Sequence, residues 1–429
     1  MTDTARTAAA EVTQWKVLVL CFLVSVVEGV EIVAFGIAAP DIHTTLGIDH
    51  AHLGLLASAG LIGLIFGAFF GGQIGDRVGR KRLLVLCVLG FTLFTLLAAL
   101  SQGFDALLIA RLGTGISIGM SMPNIIAMGA EAGGAPGQIP RVTLVTSGTP
   151  TGGMVVGLFA ASVLYNQWQD VFIFGVILPA LLLPFLIFLI PPDRARMVRP
   201  ADGGNAPKQL ASYRAVLFGD RRTVSTISLW AAGFCNQVII YLLLNWLPML
   251  MRAVGATHEE GAIAIVLFNM GGLVGGVLFG RMMRRNRRWP VPLIAYSGTI
   301  IGLCILALPG IPIYVRLSAS LLVGACAIGS QLLIFGFSAE TYIAPFRGTG
   351  VGVSAGIGRV GSTVGPAVAG LALGAGATVA TLLPALLPLA LIAGAASVTL
   401  AMRPRPIEVQ DAASDAEMGT LSCCRSDGQ

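Results

Sequence analysis

The chain alternates between long apolar runs and short polar ones. Twelve runs come close to or exceed the roughly 20 apolar residues that carry a helix across a bilayer. They are 16–39, 52–75, 83–101, 106–131, 141–165, 171–190, 223–250, 260–280, 290–308, 314–336, 348–374 and 379–402. Stretches within them, such as Leu178–Ile190 and Leu382–Leu400, contain no charge at all. The two-residue alternation of a transmembrane barrel is missing. The pattern predicts an all-α polytopic membrane protein with twelve transmembrane helices. The first run is longer than the apolar core of a signal peptide and holds two acids, Glu28 and Glu31. No clear small-residue cleavage site follows it, so it reads as the first span.

The polar segments organise the spans. Pro191 to Arg222 is rich in proline, glycine and basic residues and divides the runs into two sets of six. The expected organisation is a six-helix half over 1–190, a linker over 191–222, a second half over 223–402 and a polar tail over 403–429. The halves echo each other. "GQIGDRVGRKR" follows the second run and "GVLFGRMMRRN" the eighth, and aligning Gly72 with Gly276 brings Arg77 onto Arg281 and Arg80 onto Arg284. Two pseudo-symmetric halves are the mark of a transporter built from repeats, with its site near the midplane between them.

Composition and charge sharpen this picture. Of the 429 residues 55% are hydrophobic and 11% charged, against roughly 25% charged in soluble domains. The net charge of +6 could suggest nucleic acid, but its distribution argues for topology instead. Arg111 and Arg359 fall inside spans, and Arg252 and Arg316 at loops on one side. The other 23 basic residues fall on the opposite side, with both termini. Basic residues stay cytoplasmic, so both termini are expected in the cytoplasm. The seven cysteines form neither a metal spacing nor a disulfide framework. Five lie singly in spans, and Cys423 and Cys424 lie in the tail.

The loop Gly72–Arg82 has the pattern G-x-x-x-D-R-x-G-R-[KR]-[KR] and resembles the signature loop of the major facilitator superfamily. "EGVEIVAFGIAAP" from Glu28, "RLGTGISIGMSMPNIIAMGAE" from Arg111, "YLLLNWLP" from Tyr241 and "RGTGVGVSAGIGRVGSTVGP" from Arg347 resemble segments of its aromatic acid:proton symporter family. Within that family the opening glutamate and "GIAAP" are most similar to hydroxyphenylpropionate-type transporters. The resemblance runs from about Trp15 to Arg403. It implies a plasma-membrane, monomeric symporter that imports a small aromatic carboxylate with protons and uses no cofactor. The chain departs from the family in two places: both acids of the D-G-x-D segment are glutamates here, and Gly280 replaces the acid in the second loop copy.

The intramembrane charges carry the candidate chemistry, because an ionisable residue in the bilayer is costly and rarely faces lipid. Glu28 lies twelve residues past Lys16, and Arg359 twelve past Arg347, so both reach roughly 18 Å into the membrane from the same side. Glu28 and Glu31 share a helix face. Burial and mutual repulsion both favour protonation of at least one of them, which suits a proton-handling site. A plain salt bridge to a neighbouring helix would also account for them. Arg359 can fork onto a carboxylate, which makes it either a substrate anchor or a standing partner for the acids. Arg111 opens R-x-x-x-G-x-x-x-G, a spacing that packs helices closely. The resemblance links that motif to proton coupling. Asn124, Tyr241, Asn245, Trp246, Asn269 and Gln331 are candidate substrate contacts, being aromatic or amide groups within spans. Asp76, Arg77, Gly79, Arg80, Glu131, Arg141, Glu340 and Arg347 are candidate gating residues at the basic side.

Other classes fit less well. A drug antiporter would carry G-x-x-x-G-P-x-x-G-G in the fifth span, where the chain reads "SGTPTGG". An enzyme is not expected, since H-E-x-x-H is absent and no G-x-S-x-G nucleophile motif stands out. A non-transporting sensor would need a signalling domain, which the short tail does not supply.

Overall fold

Proline and glycine set where the helices begin, break and touch. The structure, a computed structural model, describes residues 3–132, 138–191, 217–218, 222–283, 288–342 and 347–403, without the side chains of 3–13, 131, 138–140, 339 and 347–349. The helices are α1 (Asp3–Leu46), α2 (His50–Val78), α3 (Arg80–Leu100), α4 (Phe104–Glu131), α5 (Gln138–Thr146), α6 (Gly148–Ala160) and α7 (Trp168–Leu189). They continue with α8 (Thr223–Ala253), α9 (His258–Met282), α10 (Pro290–Ala307), α11 (Ile313–Thr341), α12 (Arg347–Gly374), α13 (Val379–Leu382) and α14 (Leu387–Met402). No strand occurs among the described residues.

Most expected spans appear as single helices, and two are divided. The run 141–165 is split at Ser147 into α5 and α6. Pro150 has no N–H to offer and its ring crowds the carbonyl four residues back, at Thr146, where α5 ends. The last run is split into α13, a 3-10 turn at Pro384–Leu386 and α14. Eleven spans are long and apolar enough on their own to cross a membrane. The remaining one, α12, has 28 residues but is rich in glycine.

The ends are capped as the sequence dictates. Asp49 Oδ1 accepts from His52 N at 2.8 Å to start α2, and Thr257 with Glu260 forms a capping box on α9. Between α2 and α3 the backbone turns at Gly79 with φ 103°, a conformation that a side chain rarely adopts. This accounts for the glycine of the signature loop. Arg316 donates to Leu306 O and Leu308 O and caps the C-terminus of α10.

Helix packing repeats between the two sets. The pairs α2–α4 and α9–α11 are the most extensively packed, each being the second and fourth span of its set. Both seams are made by glycines laid on backbone. A Cβ on Gly115 would overlap Gly60 O, and one on Gly275 would overlap Ala325 O. The R-x-x-x-G-x-x-x-G segment does pack helices closely, with Gly115 and Gly119 set against Gly60 and Leu64 of α2. Three pairs carry most of the contact between the sets among the described residues: α1–α8, α2–α12 and α6–α9. In the second pair the second span of the first set meets the fifth of the other, and in the third pair these roles are exchanged, as a two-fold relation requires.

Gly29 is one of the tightest points between α1 and α6, because a Cβ there would overlap the Thr149 carbonyl, as one on Gly152 would overlap Val26 O. Backbone leaves no flexible atom to yield. Gly29→Val is therefore expected to remove nearly all monodisperse protein extracted from membranes, as read by size-exclusion chromatography. Gly72→Ala, which has open space around it, serves as the control.

Candidate functional site

The Gly29 contact presses α1 onto α6 and fixes how the flanking acids point. Glu28 and Glu31 are 0% and 1% exposed, so both are withdrawn from lipid and solvent. Their carboxyls turn into the first set of helices. Ser121 Oγ of α4 donates to Glu28 Oε1. Thr95 Oγ1 of α3 donates to Glu31 Oε2 at 2.7 Å. Glu31 Oε1 lies against α7, where a Cβ on Gly175 would stand 2.7 Å from it. Each acid keeps one oxygen without a protein hydrogen-bond partner. The shared face expected from the i, i+3 spacing thus opens onto two different neighbours.

Arg359 approaches the same part of α4 from the second set. Its Nη1 donates to Tyr241 Oη at 3.1 Å, and its Nη2 lies 3.2 Å from Met122 Sδ. Ser121 and Met122 are consecutive, so Glu28 and Arg359 reach α4 side by side. They are close enough to interact electrostatically without forming an ion pair. Among the described residues Arg359 has no carboxylate within 4.0 Å. A half-buried guanidinium between two helix sets, whose bonded neighbours are uncharged, can accept an anion. Tyr241 offers such an anion a ring and a hydroxyl.

Arg111 is also buried, over the ring of Phe35 at 4.9 Å, and donates to Glu31 O at 3.4 Å. It meets the acidic segment through its backbone rather than through an ion pair.

The remaining substrate candidates are committed elsewhere. Asn124 donates to Gly71 O and Met120 O and abuts Gly75, which places it in the α2–α4 seam. Asn269 donates to Ile265 O and lies against Gly153 between α9 and α6. Trp246 Nε1 donates to Pro366 O of α12. Gln331 accepts from Asn236 Nδ2 at 2.9 Å. Asn245 donates to Tyr241 O at 2.9 Å and is buried beneath Gly36 of α1.

Of the gating candidates, Asp76 pairs with Arg80 of its own loop at 3.3 Å, and Arg77 is exposed. Arg141 donates to Ala130 O, and Glu340 pairs with Arg288 at 2.7 Å. The side chains of Glu131 and Arg347 lie outside the described residues, as does Arg284 of the second loop.

A cluster at the opposite end was not legible in the sequence. Asp41, at the end of α1, pairs with Arg252 of α8 at 2.6 Å and lies 3.7 Å from His258 of α9. Tyr165 donates to Asp41 and stacks on His258 at 4.1 Å. Burial, and then the bond to Asp41, hold the Tyr165 hydroxyl well above the ordinary tyrosine range, so it remains a neutral donor. The cluster ties α1 and the α6–α7 turn to α8 and α9, joining the two sets at this end. The sequence signal was four isolated polar residues beside span ends, with nothing to pair them. At the other end Gly352 and Gly356 of α12 are exposed. Asp41→Ala leaves Arg252 facing His258 without its acid and should release this end. Labelling of a cysteine placed at Met249, buried in the parent protein, by an impermeant maleimide should rise on the order of tenfold, a shift of ~1.4 kcal/mol.

No cluster of metal-binding side chains occurs among the described residues.

Comparison with known proteins places this geometry in context. Residues 21–366 match the family model described as "Major Facilitator Superfamily". The chain is 34% identical over 352 residues to a "3-(3-hydroxy-phenyl)propionate transporter" of Escherichia coli (strain K12), covering 82% of this chain and 85% of that one. It is 33% identical over 388 residues to a "Gallate transporter" of Pseudomonas putida, covering 83% and 85%. Among solved structures it superposes on a D-xylose-proton symporter with a TM-score of 0.74 at 17% identity, covering 90% of this chain and 96% of the other. That last likeness concerns the fold.

Proposed function

The chain belongs to the major facilitator superfamily of membrane transporters, and from that premise we propose that it imports an aromatic carboxylate together with protons by alternating access. The relatives named above carry a hydroxyphenylpropionate and a gallate, both aromatic rings bearing a carboxylate. The observation that carries the reading is Arg359, a cation between the helix sets whose neighbours are Tyr241 and Met122 instead of an acid. The carboxylate of the substrate docks on its guanidinium and the ring lies against Tyr241. Glu28, buried on the adjoining residue of α4, takes and releases the proton. An anion arriving at Arg359 adds negative charge near Glu28 and so favours its protonation, which links the two cargoes.

The bonded Asp41 cluster and the exposed Gly352 and Gly356 of α12 support a state closed at the Asp41 end and open at the other. Basic residues concentrate at the open end, which supports a cytoplasmic placement for it and for both termini. The bacterial relatives support the inner membrane. The gating candidates Asp76, Arg77, Gly79, Arg80, Glu131, Arg141, Glu340 and Arg347 belong to that end and would close it in the opposite state.

Purified protein in liposomes tests the reading. Under an imposed inward proton gradient, at least one member of a panel of benzoates, hydroxybenzoates and phenylpropanoates accumulates above equilibrium. Equilibration of every member without accumulation would refute proton coupling, and no saturable uptake of any member would refute the substrate class.

A further inference from the structure

Three polar side chains with unpaired buried atoms line one cavity between the helix sets. The cavity measures about 10 Å³ and is bounded by Glu31, Gly60, Arg111 and Thr114 of the first set and Asn245 of the second. That is close to the space one water molecule needs. Arg111 Nε, a donor, and Asn245 Oδ1, an acceptor, have no protein partner although both residues are buried. Arg111 has little freedom to turn elsewhere. Its guanidinium is held by Glu31 O and the Phe35 ring and fitted against Gly60, where a Cβ would stand 2.8 Å from Nη2. Asn245 is equally fixed, with its amide nitrogen on Tyr241 O. Leaving a buried donor and acceptor unmatched is costly, and one water satisfies both.

We propose that Arg111 and Asn245 hold a buried water that bridges the two helix sets, making Asn245 the residue through which the acidic segment of α1 and the Arg359 site sense each other. The bonds form a continuous path. Arg111 Nη1 donates to Glu31 O, its Nε donates to the water, and the water donates to Asn245 Oδ1. Asn245 Nδ2 donates to Tyr241 O, and Tyr241 Oη accepts from Arg359. Glu31 and Arg111 are the titratable groups in the cavity wall. Asn245 is therefore a positioning residue: it acts through the bridge, which it breaks and remakes as the sets move apart and together. The coupling role rests on the proton-coupled reading above. The bridge itself does not.

Two measurements separate these claims. The first is a double-mutant cycle of thermal unfolding with Arg111→Lys, Asn245→Leu and the pair. A shared water makes the pair lose several degrees less than the sum of the single losses, whereas additive losses overturn the bridge whatever the protein transports. The second compares gradient-driven accumulation with substrate exchange in liposomes. Asn245→Leu lowers the ratio of accumulation to exchange at least tenfold relative to the parent protein. An unchanged ratio, or equal loss of both activities, overturns the coupling role. Failure of the parent protein to accumulate substrate would instead refute the proton-coupled reading and leave the cycle to decide the bridge.

Discussion

Replacing Arg359 with glutamine is expected to raise the apparent KM for the aromatic carboxylate by about 10²-fold or more and to remove the competition by benzoate-type anions expected of the parent protein. The size follows from what is lost. Truncating one partner of a desolvated, hydrogen-bonded charge pair costs about 2–5 kcal/mol, and each 1.4 kcal/mol is tenfold. Glutamine removes the charge while keeping a polar amide on a shorter side chain, and the half-buried site leaves the helix packing around α12 little disturbed. Arg359→Lys keeps the charge but loses the fork and falls between the two. Binding measured by scintillation proximity, which needs no proton gradient, checks the result. Equal affinities of the parent and Arg359→Gln would show that the anion binds elsewhere.

Glu28→Gln separates the cargoes. The amide has the shape of the protonated acid and still accepts from Ser121, so the buried site remains filled and neutral. With no proton to release, the variant is expected to equilibrate substrate across the membrane without accumulating it under a proton gradient. Its exchange rate should no longer vary between pH 5 and 8. Glu31→Gln, with its carboxyl set between Thr95 and Gly175 and away from Arg359, should retain more of the accumulation. If Glu28→Gln still concentrates substrate, Glu31 becomes the proton carrier and the role given to Glu28 fails.

The pattern of apolar runs determined the helix count because a bilayer leaves so few solutions: each span must satisfy its own backbone, and length and apolarity follow. Glu28, Glu31 and Arg359 stood out for the same reason, as charges where charge is expensive. Where they point was not legible, since a shared helix face does not say which neighbour it meets. The local bonds of the asparagines were not legible either. An amide inside an apolar run looks like a ligand group, but Asn124, Asn245 and Asn269 each donate to the carbonyl four residues earlier on their own helix. That local bond meets much of their need without any substrate. Trp246 similarly spends its N–H on Pro366 O. The Asp41 cluster was invisible because its members come from three helices and a turn, and only the packing brings them together.

At several of their tightest points the contacts between the two helix sets are also glycine on at least one side. Gly36 sits on the Leu244–Asn245 backbone of α8, a Cβ on Gly54 would stand 3.0 Å from Gly370 Cα and Pro366 O, and Gly153 and Gly157 face Asn269 and Val266 of α9. Surfaces of this kind can glide, since few knobs must be drawn out of holes before the lobes tilt. Polar ties such as Asp41–Arg252 then act as latches on an otherwise smooth bearing, so their strength, more than friction along the seam, sets the pace of each stroke.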